Sequence, residues 1–134
     1  MPIRVGIDLV SIEEVAEAIR EHGDRYLLRV YTAAELNDCQ SGAGAGETGR
    51  EGVAPERLAA RFAAKEATLK VLRPAEYAVP WRDIEVVRHP HGWVELELSG
   101  RASISAKGQG LDGFAVSISH EAGYATAVVL ATRA

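Results

Sequence analysis

Lys65, Glu66 and Lys70 fall within two helical turns of one another, with Arg61 one turn earlier, beside a run of alanines. Cations, a carboxylate and small side chains in that pattern suit a bound phosphate, because the alanines let an anion approach and the cations offset its charge. On a wheel advancing about 100° per residue, Ala59, Ala63, Glu66 and Lys70 share one stripe. Lys65 lies beside the Leu58/Phe62 stripe, so its stem is expected to pack there while its ammonium reaches outward. The plainer alternative is a solvated Glu66–Lys70 pair at i,i+4, worth about 0.3–0.5 kcal/mol. Asp8 adds a second carboxylate at the exit of an apolar strand. There it would serve either as a binding residue on rigid scaffold or as a charge favouring the N-terminal dipole of the next helix. If Asp8 and Glu66 converge, their hard oxygens would suit Mg2+, which keeps several waters and shares substrate phosphates. Neither carboxylate alone says this.

The elements that must position these residues follow from periodicity. Ile3, Val5, Ile7 and Leu9 alternate with Arg4, Gly6 and Asp8, the pattern of a strand with one buried face, which turns Asp8 away from the apolar side. Ser11 with Glu14 reads as a capping box opening a helix through Val15, Ala18 and Ile19 toward Gly23. The apolar pattern continues from Tyr26 to Val30, and Thr32 with Glu35 is a second capping box, opening a short helix around Leu36. Residues 37–56, with Gly42, Gly44, Gly46, Gly49 and Gly52 among small polar neighbours, predict a mobile surface loop. Pro55 suits a first helical turn, and a helix should run from about Glu56 to Leu72, where Arg73-Pro74 stops it. Downstream, Ile84–Arg88 and Val94–Leu98 form one expected hairpin, and Arg101–Lys107 a short helix ended by Gly108. Phe114–Ser119 with Tyr124–Ala131 form a second hairpin, closed by His120–Gly123. Two hairpins and several helices without regular β-α-β alternation predict an α+β fold.

A chain of 134 residues is the size of one compact domain, and 47% hydrophobic with 25% charged residues is an ordinary globular balance. The formal charge of −4 gives no global field to attract nucleic acid or an anionic membrane, so any anion site must be local. Cys39 stands alone, which rules out an intrachain disulfide and is expected to leave an unremarkable loop thiol. No apolar run approaches the ~20 residues that span a bilayer, and Met1 to Arg4 do not start a signal peptide. A cytoplasmic location is expected.

Three blocks in order and spacing resemble the AcpS-type 4′-phosphopantetheinyl transferases, the holo-[acyl-carrier-protein] synthases. Val5 to Val10 is similar to the family's N-terminal strand motif, Arg61 to Ala67 with Lys70 to its signature helix, and Ser117 to Glu121 followed by Tyr124-Ala125 to its C-terminal motif. Weaker similarity in Thr32 to Leu36 and Trp81 to Glu85 extends the resemblance over most of the chain. It implies the family's fold, a small antiparallel sheet with a long signature helix. It also implies transfer of the phosphopantetheine arm of coenzyme A to a serine of an apo acyl carrier protein, with Mg2+ required and adenosine 3′,5′-bisphosphate released. By the resemblance Asp8 and Glu66 bind the metal, and Glu66 also orients the base that accepts the serine proton. Lys70 and Lys65 become candidates for stabilising the pyrophosphate, and Arg61 and His120 for the coenzyme's 3′-phosphate side. A homotrimer with sites between subunits is implied as well.

Two departures from the family pattern bear on partners. Arg73 to Tyr77 replace a glycine-rich turn, which leaves open an alternative, a coenzyme A or nucleotide-binding module that has lost transfer. Family members dock an acidic carrier through a basic first helix, whereas Glu13, Glu14, Glu17 and Glu21 line this one. Arg20, Arg25 and Arg29 remain as carrier contacts, and a carrier with a less acidic face is expected, such as one of a dedicated polyketide or other secondary pathway, with fatty-acid synthesis left open as the other source.

Overall fold

The computed structural model describes residues 2–40, 52–74 and 78–133. Most of the loop expected over 37–56 lies outside the described residues, but its ends do not. Gln40 bridges Val53, and the Ala54 amide donates to the Cys39 carbonyl at 2.7 Å. Cys39 is fully buried rather than a loop thiol, and burial pushes its pKa up to about 12.

The α+β expectation holds. Strand β1 (Ile3–Ser11) leads into α1 (Ile12–His22), whose N-terminus is capped by Ser11 Oγ accepting from the Glu14 amide at 3.3 Å. Gly23, at φ 53°, ends α1 and starts α2 (Asp24–Val30). Helix α3 (Ala33–Asp38) carries the complete Thr32/Glu35 capping box. Then come α4 (Pro55–Leu72), a 3-10 turn at Trp81–Asp83, the hairpin β2 (Ile84–Arg88) and β3 (Val94–Leu98), and α5 (Gly100–Gly108). The second hairpin, β4 (Leu111–Glu121) and β5 (Tyr124–Arg133), joins β1 in an antiparallel sheet of order β1-β5-β4. Its turn is Ala122-Gly123, both at positive φ (53° and 86°), the geometry that two-residue hairpin loops favour. His120 therefore lies in a strand, opposite Ala125, and not in the turn expected of it. No described helix is long and apolar enough to cross a membrane.

Helix α4 packs across the sheet, and which face it covers corrects the sequence reading. The face of β1 buried within this chain carries Arg4, Gly6, Asp8 and Val10, in register with Ala131, Val129, Ala127 and Ala125 of β5. The alternating apolar residues Ile3, Val5, Ile7 and Leu9 point the other way, with Val5 62% and Leu9 64% exposed. Small residues explain the choice. A Cβ on Gly6 would sit 2.3 Å from the Ala67 carbonyl oxygen, so the glycine lets the helix lie against the strand at backbone distance. Alanines on both partners, among them Ala63, Ala67, Ala127 and Ala131, keep the seam thin and fully buried.

That contact yields a direct expectation. Gly6→Ala should lower stability by about 1–3 kcal/mol, since the helix must retreat or the strand must bend. The urea midpoint measures it, and an unchanged midpoint would contradict the packing described.

Candidate active site and basic pocket

Asp8 follows Gly6 on the inner face of β1, so the close approach at Ala67 delivers its carboxylate to the flank of α4 that carries Glu66 and Lys70. The Lys70 ammonium donates to Asp8 Oδ1 at 3.1 Å and to the Ile7 carbonyl at 2.8 Å. Asp8 is the more enclosed partner, its side chain 19% exposed against 53% for Lys70. Glu66, one turn before Lys70, is half-buried. Burial first, and then the negative charge of Asp8, push its carboxyl up, with Lys70 acting in the opposite direction.

Burial and the neighbouring Asp8 charge make ionised Glu66 costly, so the pair of carboxylates favours added positive charge. Among the described residues no group of three or more His, Cys, Asp or Glu side chains could hold a metal ion. The donor set is thus two hard oxygens with the remaining positions open to water or phosphate, which fits Mg2+ and not a zinc site built from nitrogen or sulfur.

The structure separates Lys65 from this cluster. Its ammonium does not reach outward: the residue is fully buried and donates to Glu35 Oε1 at 2.8 Å and to the carbonyls of Trp81 and Ile84. The wheel placed its stem correctly on the apolar side, but the amphipathic rule assumes that a lysine head escapes to water. A buried carboxylate across the helix makes escape unnecessary. The capping box at Thr32 located Glu35, yet nothing in the spacing told that its carboxylate would also take a lysine.

Arg61 and His120 do come together, lining a cavity of about 210 Å3 with Arg57, Arg88 and Asp38. Arg61 is only 5% exposed; one of its terminal nitrogens donates to the Arg57 carbonyl at 3.3 Å, and its buried Nε has no hydrogen-bond partner. An orphaned charged donor in a cationic pocket is costly until an anion arrives. Sequence reasoning missed Arg57 and Arg88. Arg57 was legible, standing one turn before Arg61 on the same helix face, whereas Arg88 joins only because the β2-β3 hairpin folds over the pocket.

Of the proposed carrier contacts, Arg20 is held by Glu13 at 2.7 Å on the surface of α1. Arg25 and Arg29 line a cavity of about 470 Å3 with His22 and Tyr26. The turn after α4 is described only in part, but Arg73 itself adopts φ 50°, a left-handed conformation that glycine reaches at no steric cost. Residues 75–77 lie outside the described residues.

The model of the 4′-phosphopantetheinyl transferase superfamily matches residues 4–129. The chain belongs to that superfamily. A curated relative, the holo-[acyl-carrier-protein] synthase of Koribacter versatilis, is 40% identical over 131 residues, covering 97% of this chain and 98% of its own. The ACPS–CoA complex of Chronobacterium ammoniagenes superposes with a TM-score of 0.82 at 31% identity, covering 100% of this chain and 99% of that one. The Helicobacter pylori holo-[acyl-carrier-protein] synthase in complex with coenzyme A gives 0.78 at 25% identity, covering 96% and 100%. The fold is therefore that of the small phosphopantetheinyl transferases, and this member of the superfamily is an enzyme of the holo-[acyl-carrier-protein] synthase type.

The electrostatics of the carboxylate pair can be read directly. Because the folded chain holds the Glu66 proton more tightly than the unfolded chain, this group lowers stability as pH rises from the ordinary carboxylate pKa through the raised one. Asp8→Asn should move the Glu66 titration down toward ordinary values, as followed by carboxyl 13C NMR. A titration left where it was would show that Asp8 and Glu66 do not share a field.

Proposed function

We propose that this chain transfers the 4′-phosphopantetheine arm of coenzyme A to a serine of an apo acyl carrier protein, releasing adenosine 3′,5′-bisphosphate, with Mg2+ between Asp8 and Glu66. The observation that carries this reading is the convergence of Asp8, Glu66 and Lys70 from β1 and α4, in a chain whose relatives are holo-[acyl-carrier-protein] synthases. The anion-seeking pocket supports it. Arg61 stands about 7.5 Å of rise and about 140° around α4 from Glu66, so the two flanks of one helix would offer separate places for a nucleotide's 3′-phosphate and its 5′-pyrophosphate. Arg61, Arg57, Arg88 and His120 would take the 3′-phosphate end, while the carboxylate pair and Lys70 face the pyrophosphate.

Each residue then has a task. Asp8 and Glu66 hold the divalent cation, which when bound neutralises pyrophosphate charge and supplies Lewis acidity. Lys70 is exposed enough to exchange its contact with Asp8 for a phosphate oxygen and to hold charge on the leaving nucleotide. The serine Oγ forms the new bond to the β-phosphorus as the bond to the bridging oxygen breaks, and the electron pair leaves with the bisphosphate. Glu66 orients, directly or through water, the base that accepts the serine proton.

The apolar outer face of the sheet supports a second part of the proposal, a homotrimer with its sites between subunits. Ile3, Val5, Ile7, Leu9 and Leu130 all stand exposed on one side of β1 and β5, a continuous patch of the kind that association covers. Light scattering should give about three times the chain mass of 14.4 kDa, and Val5→Asp should dissociate it. A wild-type monomer would remove this part.

Intact mass of an apo carrier protein after incubation with enzyme, coenzyme A and Mg2+ tests the activity itself. A gain of one phosphopantetheine is expected, and its loss in Asp8→Ala/Glu66→Ala. Binding of coenzyme A without any gain, on any carrier, would instead favour a binding module that has lost transfer. With an acidic fatty-acid carrier, Glu14→Lys/Glu17→Lys should raise kcat/KM by about tenfold, because the acidic face of α1 repels that partner. An unchanged value would place docking elsewhere.

A further inference from the structure

Among the described residues the most completely enclosed charges are Glu35 and Lys65, both 0% exposed. Lys65 spends its ammonium on Glu35 Oε1 at 2.8 Å, on the Trp81 carbonyl at 3.1 Å and on the Ile84 carbonyl. Glu35 accepts in addition from the Thr32 amide at 2.9 Å through Oε1 and from the Val86 amide at 2.9 Å through Oε2. Three stretches of chain, α3, the Trp81–Val86 segment and α4, thus meet at one fully satisfied ion pair.

Stability alone is a poor account of this pair. Desolvating two charges costs several kcal/mol, and well-packed apolar residues of the same size often hold a core as well or better. What an ion pair adds is direction, since each donor and acceptor must be met at a defined distance and angle. Helix α4 needs that direction. Its seam with the sheet is made largely of alanine, and small side chains offer no deep ridges to stop a helix from rolling. The side-chain ends of a helix lie about 5–6 Å from its axis, so a roll of about 20° would move the Glu66 carboxylate by about 2 Å. Functional groups must be held to about 0.5 Å. Lys65 immediately precedes Glu66, and its anchor lies on the opposite side of the helix from the Gly6·Ala67 contact.

We propose that the buried Glu35–Lys65 pair is a positioning device for the reaction, fixing the roll of α4 so that Glu66 faces Asp8, and that its contribution goes to this alignment rather than to holding the fold. The inference rests on the reading that Asp8 and Glu66 hold the divalent cation. Glu35 and Lys65 are positioning residues, acting through Glu66 without touching substrate.

The test removes the charges while keeping the volume. In Glu35→Gln/Lys65→Met the glutamine carbonyl can still accept from Val86 and its amide can donate to a carbonyl that Lys65 leaves, while the Thr32 amide loses its acceptor, so the protein is expected to stay folded and to melt somewhat below wild type. Mn2+ binding to the protein, followed by electron paramagnetic resonance, should weaken by about tenfold, the effect usual for groups that orient a metal ligand. In turnover the KM for Mg2+ should rise by a similar factor while kcat at saturating Mg2+ stays near wild type. Glu35→Asp, which keeps both charges but draws the pair toward α3, should weaken Mn2+ binding several-fold and decides the matter if the double variant does not fold. A folded variant that binds Mn2+ like wild type, when Asp8→Asn/Glu66→Gln does not, overturns the positioning role alone. If wild type binds no Mn2+, or Asp8→Asn/Glu66→Gln binds it equally, the metal reading falls and the positioning role falls with it.

Discussion

The carbonyl oxygen of Ala67 lies 2.3 Å from where a side chain at position 6 would begin, so β1 and α4 can meet this closely only because Gly6 has none. Everything chemically distinctive about the chain depends on that separation. One strand pleat later Asp8 emerges on the same face, and α4 presents Glu66 one residue before the contact and Lys70 about one turn after it. With a larger residue at position 6 the helix would stand off and the carboxylates would part. The alanines of α4 and β5 extend the same close seam in both directions.

A seam of small residues gives proximity but little angular control, and the molecule supplies that control with charge. Lys65 and Glu35 sit on the far side of α4, where an apolar pair would serve the fold equally, and tie the helix to α3 and β2 through backbone partners at fixed places. Arg4 does comparable work at the helix end, donating to the Val71 carbonyl at 3.0 Å from the first strand. The reactive face of α4 is held from both flanks, while Lys70, with its side chain 53% exposed, keeps enough freedom to move toward a ligand.

Periodicity located nearly every element, because caps, glycines and prolines act over three or four residues. Ser11, Thr32, Gly23 and Pro55 all punctuate the chain as their chemistry requires. It failed where a decision depended on a partner. Alternation along β1 shows that Ile3, Val5, Ile7 and Leu9 share a face but cannot say whether this chain or another covers it, and here the helix takes the face with Gly6. Lys65 shows the same limit: wheel position gives its side of the helix, but not the buried carboxylate that keeps its head inside. Asp8, Glu66 and Lys70 were legible as candidates, and Arg61 with His120 through their motifs. Arg57 was legible beside Arg61 but passed over, whereas Arg88 and Glu35 belong to the site or its support only through the way the chain folds over them.

The account turns on whether the glycine contact brings Asp8 and Glu66 to a single cation. A crystal of the protein grown with coenzyme A and Mn2+, measured at the manganese absorption edge, tests this most directly. The account predicts one anomalous peak within coordination distance of both carboxylates and of the pyrophosphate. A peak on only one carboxylate, or manganese bound elsewhere with the pyrophosphate in place, would contradict it.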